Sequence, residues 1–477
     1  MWKGRFSQDM SDVVCRFTQS LDLDWRMVQD DIRGSIAHVR MLGQVGLLTA
    51  QESAEIESAL IQIAKDAEDG SFVPKESLED VHMNVEALLI ERTGDVGAKL
   101  HMGRSRNDQS NTTVRLALRR EILKIWDDMK PMLETLLLKA MQHAETTVPG
   151  YTHMQQAQVI TMGHFWMAHF QAFIRDARLL LNAYESSDES PLGSGALAGS
   201  TLPIDRAMTA RDLGFSRICE NSMDAVAQRD HIIAFHYFAS LFGVHASRIS
   251  EDLIIYFTSE FGWISLPDAF CTGSSMMPQK KNPDVLEIIR GKSGRLTGGL
   301  MDALSMVKGT PLTFNRDFQE DKRSLWSSCD TIQSMLEVMT PLYAEVEVNE
   351  EAAVRSFLDG FIYATDIAEY LVKRGVPFRK SHEIVGRAVR WCMENNRALN
   401  SLSTEEWGKF SPMVDDDLAP LLTPAKSVSR RNTAGGASPV QVRLQVENGK
   451  KRLAEIDEEF NMYKGRFPSL TFATPRV

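Results

Sequence analysis

At 477 residues, 43% hydrophobic and 25% charged, the chain is long enough for two or three globular domains with a sizeable core. A net charge of −11 argues against nucleic acid or an anionic membrane as partner, so any anionic ligand has to be met by local basic groups. The five cysteines (Cys15, Cys219, Cys271, Cys329, Cys392) are scattered without CxxC spacing, which speaks against a disulfide framework or metal cluster and fits a reducing cytoplasm.

Residues 1–104 read as short helices joined by polar turns, with no strand pairs. Asp30–His38 is one helical run, and Thr49-Ala-Gln-Glu52 is a capping box that opens another. The N-terminus has no apolar run of the kind a secretory signal needs. Ser20, Asp24 and His82 are the polar positions that stand out here, each also readable as an ordinary cap or surface group.

From Asn107 to Ala144 the apolar residues Val114, Leu118, Ile122, Ile125, Met129, Leu136 and Ala140 recur at helical spacing, and Pro131 predicts a kink. Comparable helices are expected at Val159–Ala183, Ala225–Phe257, Val285–Val307 and Ser324–Val346, making five. The uncharged run Thr146–Ile174 has the length of a membrane span, but its Gln, His, Pro149 and Gly150 argue for a water-exposed segment. The helix around Ile232–Ala246 is apolar on nearly all faces, which predicts burial on every side in a bundle shared between subunits. Leu192–Gly199 has GxGxxxG spacing with no preceding strand, so it reads as a flexible connection and not as a dinucleotide loop. Beyond residue 358, Pro377, Pro412, Pro420, Pro424 and Gly435–Pro439 punctuate shorter helices. The expected fold is all-α with three domains, 1–104, 105–357 and 358–477.

Three stretches carry chemistry. In Cys271–Asp284, Gly273, Ser274 and Ser275 give a backbone able to turn its N–H groups toward one point, and Pro278 and Pro283 fix the rest. Lys280, Lys281 and Asn282 supply cations and an amide that stabilise an anion and favour an ionised Ser274, the candidate proton-transfer group. A solvated basic turn is the plainer alternative. Leu100–Asp108 sets Ser105, Arg106 and Asn107 at the start of the first long helix, where N–H groups and the helix dipole favour a carboxylate. Pro149–Gln158 sets Thr152 and His153 beside a turn, a setting suited to general acid or base work. Glu287, just past the serine loop, is a carboxylate able to orient that imidazole.

The pattern Gly273-Ser274-Ser275-x-Met277-Pro278-x-Lys280-x-Asn282 resembles the signature loop of the fumarase/aspartase superfamily, whose members release fumarate by elimination. Trp2–Phe6, Gly103–Gln109, Pro149–His153 and Asn315–Lys322 resemble the argininosuccinate lyase family in particular, and the likeness runs almost from end to end. It implies an all-α homotetramer with active sites shared between subunits, acting on argininosuccinate without metal or organic cofactor. Ser274 and His153 would be the proton-transfer pair, with the choice of base left open. Glu287 would support His153, while Lys280 and Asn282 would bind the carboxylate that gains charge. Ser105, Arg106, Asn107 and Thr152 would hold carboxylates, and Ser20, Asp24, Gln319 and Lys322 the arginine end. Phe314 and Val159 depart from the family's usual tyrosine and proline, the first costing one substrate hydrogen bond, worth about 1 kcal/mol. Another fumarate-releasing lyase, acting on adenylosuccinate or aspartate, and a catalytically silent structural protein on the same fold are the alternatives.

Overall fold

The computed structural model describes residues 11–468, so the Trp2–Phe6 motif lies outside the described residues. Eleven helices of ten residues or more occur among them. They are α1 (Val28–Gln44), α2 (Ala50–Glu68), α3 (Val81–Thr93), α4 (Arg106–Gln142), α5 (Met162–Ser187), α6 (Asp230–Phe257), α7 (Asp284–Lys308), α8 (Asp321–Glu345), α9 (Ala364–Lys373), α10 (Phe378–Glu394) and α11 (Pro439–Arg466). The five expected long helices are α4 to α8, and the architecture is all-α.

Helix α4 begins where its cap chemistry says it should. The Ser105 hydroxyl accepts the Asn107 N–H, and Asp108 accepts the Ser105 N–H in return. All seven apolar residues that set its period are buried, and the helix runs through Pro131 without a break. The same reciprocal cap opens α2 at Thr49 and Glu52. The α4–α8 bundle forms the main apolar core.

Two of the expected helices start elsewhere. Residues 147–161 form an antiparallel hairpin, β1 (Thr147–Thr152) and β2 (Gln155–Thr161), so the second long helix starts at Met162 and not at Val159. The β-branched residues Thr147, Val148, Thr152, Val159, Ile160 and Thr161 favour the pleated conformation. Val159 is buried in β2, packed into the C-terminal apolar core. The expected helix from Ala225 is divided into a short turn, Ser222–Ala227, and α6 itself. Within one chain α6 is not covered on every side either. Tyr237 and Val244 face outward, as do Ile288, Met301 and Leu304 of α7.

Residues between Val28 and Leu100 build a separate apolar core, and residues between Phe357 and Ala437 build another. In sequence α11 belongs to the 358–477 segment, but it does not pack there. Val442, Val446, Leu453, Ile456 and Phe460 join the bundle core, with Phe460 stacked on Trp126 at 4.5 Å. An apolar stripe on a 28-residue helix needs a long partner, and α4 and α5 supply one. No described helix is long and apolar enough to cross a membrane.

Candidate active site

The singled-out residues collect at opposite ends of the bundle. At the first end lie the N-termini of α4 and α8. Arg229, just before α6, donates to Asp321 of α8 at 2.6 Å, and Asn111 of α4 donates to the Ala225 carbonyl at 2.6 Å. Here Ser20, Asp24, Gln319 and Lys322 come together. The Ser20 hydroxyl donates to Asp24, and the Lys322 ammonium stands 3.8 Å from the other Asp24 oxygen. Lys322 also donates to Asp321 at 3.1 Å and to the Gln319 carbonyl at 3.3 Å, while the Gln319 amide donates to the Thr18 carbonyl at 2.8 Å. Asp24 is only 2% exposed, and its Oδ1 is buried without a hydrogen-bond partner among the described residues. Burial pushes its carboxyl up to about 6, against the opposing pull of Lys322 and Ser20. Phe314 is half-buried nearby, edge-on to Phe318, whose ring lies beneath the Arg229 guanidinium.

Ser105, Arg106 and Asn107 occupy the first turn of α4 at this same end. Arg106 reaches between Asp80 at 3.7 Å and Glu86 at 3.6 Å, and its two terminal nitrogens are buried without a hydrogen-bond partner among the described residues. The Asn107 amide donates to the Ala196 carbonyl at 3.0 Å. Beneath this turn is a polar layer. His82 bonds to Asp31 at 2.6 Å, and Gln109 donates to the same carboxylate at 2.8 Å. Burial raises the Asp31 carboxyl although Arg104 opposes it.

The second end holds Thr152, His153 and the serine loop. Lys139 of α4 donates to the Val346 carbonyl after α8 at 2.6 Å, and the Tyr151 ring lies 5.6 Å from Phe261 and 5.7 Å from Trp263, beyond the end of α6. His153 and Met154 form the two-residue hairpin loop, both at positive φ (54° and 58°), and both side chains are exposed. In the serine loop, Thr272 and Asn282 bridge through backbone bonds of 3.1 and 2.8 Å, closing its neck. Ser274 Oγ accepts the Met276 and Met277 N–H groups at 3.3 and 3.0 Å. The Asn282 amide donates to the Gly273 carbonyl at 3.3 Å. Lys281 pairs with Asp268 at 2.7 Å, whereas Lys280 is exposed with no ion pair among the described residues. Glu287 is exposed on the first turn of α7, and within one chain no hydrogen bond joins it to His153.

The α4 axis separates the two ends. At about 1.5 Å per residue its 37 residues span about 55 Å. One chain therefore holds the Asp24 and Asn107 groups at one end and His153 and the serine loop at the other, and does not unite the two ends.

Sequence reasoning passed over Asp108 and Asp31, both buried at the first end. Asp108 had a signal, since Ser105-x-x-Asp108 is a capping-box pattern. Asp31 had none, because its partners His82 and Gln109 are remote in sequence. The Leu192–Gly199 segment is more than a flexible connection, because its first half is held in place: Gly193 and Gly195 are buried and donate to Asp108 at 2.9 and 2.8 Å. Among the described residues no cluster of histidine, cysteine and carboxylate side chains could hold a metal ion.

Comparison with known proteins extends the likeness over the whole chain. Residues 4–298 match the lyase family model, and residues 361–429 match the argininosuccinate lyase C-terminal model. The argininosuccinate lyase of Desulforamulus reducens is 46% identical over 96% of this chain and 100% of its own, and that of Acetivibrio thermocellus 45% identical over 95% and 99%. Among solved structures, EDDS lyase in complex with formate superposes with a TM-score of 0.84 at 27% identity, covering 94% of this chain and 90% of that one. With helical architecture, signature loop and end-to-end identity agreeing, the chain belongs to the argininosuccinate lyase family of the fumarase/aspartase superfamily.

Proposed function

We propose that this protein catalyses the reversible β-elimination of argininosuccinate to L-arginine and fumarate. The observation that carries the proposal is 46% identity with an argininosuccinate lyase along 96% of the chain. One group removes a proton from the carbon beside a carboxylate, and the electron pair is held as a dianionic aci-carboxylate. The pair then forms the fumarate double bond as the carbon–nitrogen bond breaks, and a second group protonates the departing guanidino nitrogen. Ser274 and His153 are the proposed pair, Glu287 supports His153, and Lys280 and Asn282 face the carboxylate that gains charge. Ser105, Arg106, Asn107 and Thr152 hold the remaining carboxylates. Ser20, Asp24, Gln319 and Lys322 hold the arginine end, with Phe314 contributing apolar contact where a phenol would add a hydrogen bond.

The Arg106 nitrogens and the Asp24 oxygen that have no hydrogen-bond partner among the described residues support this division, one end of the substrate being anionic and the other a cationic guanidinium. The separation of Asn107 from His153 along α4 supports a homotetramer in which different subunits complete each site. The outward apolar residues of α6 and α7 supply a surface for that association. We place the enzyme in the cytoplasm. Ultraviolet detection of fumarate, with argininosuccinate, adenylosuccinate and aspartate assayed side by side, tests the reading. Release from argininosuccinate alone is expected, and release only from one of the others replaces it.

A further inference from the structure

The glycine-rich segment Leu192–Gly199 has no part in the proposed reaction, yet it is built onto the first turn of α4. Its first half is buried and its second half, from Ala196 on, is exposed. Arg206 holds the buried half from one side, donating to the Leu192 carbonyl at 3.0 Å and to the Ser194 hydroxyl at 3.1 Å. Asp108 holds it from the other. One oxygen of this carboxylate accepts the Gly193 and Gly195 N–H groups, and its second oxygen accepts the Ser105 N–H at 2.9 Å. Positive φ at Gly193 (87°) and Gly195 (62°) lets both amides point at one oxygen. A Cβ on Gly195 would meet the Gly199 carbonyl oxygen at 2.7 Å, so this turn has no room for a side chain.

The residue after Gly195 makes the connection to the site. The Ala196 carbonyl can only accept, so the Asn107 side chain must turn its NH2 group toward the loop. Its oxygen and its second N–H are thereby aimed away from Ala196. A cap alone would need only the Ser105 bond; the two glycine amides on the other oxygen are additional to capping.

We infer that Asp108 is a positioning residue for the reaction: by pinning Gly193 and Gly195 it sets the Ala196 carbonyl, which orients the Asn107 amide for a substrate carboxylate. The inference rests on the proposed role of Asn107 and assigns Asp108 no contact with substrate.

The test uses the full-length protein. With Ser274 intact, Asp108→Asn is expected to raise KM for argininosuccinate about tenfold, the size of one lost charge-assisted bond, while kcat stays within about threefold. Gly195→Ala disturbs the same loop without altering Asp108 or the cap, and should raise KM similarly even if Asp108→Asn fails to fold. In a Ser274→Ala background, where substrate is not consumed, calorimetry reads Kd. There Asp108→Asn should weaken binding no more than about twofold further once Asn107→Ala is present, because both act through one amide. A wild-type KM in both Asp108→Asn and Gly195→Ala, or additive Kd losses in the double variant, overturns the inference. If Asn107→Ala itself binds substrate normally, the role of Asn107 fails and the inference falls with it.

Discussion

A serine hydroxyl is a poor base, and Ser274 can transfer a proton only where its surroundings favour the alkoxide. The Met276 and Met277 N–H groups already point at its oxygen, and the exposed ammonium of Lys280 is a few residues away. Ser274→Ala is therefore expected to lower kcat by a factor of about 10² to 10⁴, the usual worth of a general acid or base. A steady-state assay returning near-wild-type turnover would remove Ser274 from the mechanism. Asp24 makes a different prediction. Its folded value of about 6 lies above the ordinary 3.8, so the native state holds its proton more tightly than the unfolded state does. Stability contributed by the protonated form is present below pH 4 and is lost as pH rises through 6. Relative to Asp24→Asn, the wild type should lose about 2–3 kcal/mol between pH 4 and pH 7, as read from denaturant titrations. A stability difference that stays constant with pH would rule out an ionised, desolvated Asp24. If Asp24 also faces the guanidinium, the stabler variant will be the poorer enzyme.

At the scale of elements, the hairpin Thr147–Thr161 carries His153 on a two-residue loop whose twist requires positive φ at both positions. Asparagine and glycine are the residues that adopt it cheaply; here it is imposed on histidine and methionine, at about 1 kcal/mol each. Met154 is 62% exposed, so its side chain contributes little packing within the chain. Met154→Gly is expected to raise stability by about 0.5–1 kcal/mol in a urea titration while leaving the hairpin register unchanged. A destabilised variant would mean that Met154 is packed against another subunit. The glycine-rich loop shows the converse economy: glycine stands where two amides must reach one buried carboxylate.

At the scale of the whole molecule, the length of α4 makes shared active sites testable. If Asn107 and His153 serve one substrate, a second chain must bring its hairpin beside the first chain's α4 N-terminus, and antiparallel packing of long helices does so. Asn107→Ala and His153→Ala, each strongly impaired alone, should regain part of the activity when denatured together and refolded as a mixture. Some sites then receive both wild-type residues. Verified mixed oligomers no more active than either parent would exclude shared sites.

The sequence by itself determined the presence of five long helices and the short motifs that carry the family likeness. Apolar period places α4 to α8, caps mark where α2 and α4 begin, and the serine loop's donors lie within ten residues of one another, because these properties are local. It did not reveal the hairpin, since the turn residues His153 and Met154 lack the usual Asn-Gly signal and the flanking run reads equally as helix. Nor could it show that α11 returns to the bundle, that Leu192–Gly199 is pinned by Asp108, or that Asp31 gathers His82 and Gln109. Those pairings join residues 51 to more than 300 positions apart, and burial alone selects among their possible partners. The raised pKa values of Asp24 and Asp108 belong to the same class, because desolvation exists only once the surrounding elements have closed over the carboxylate.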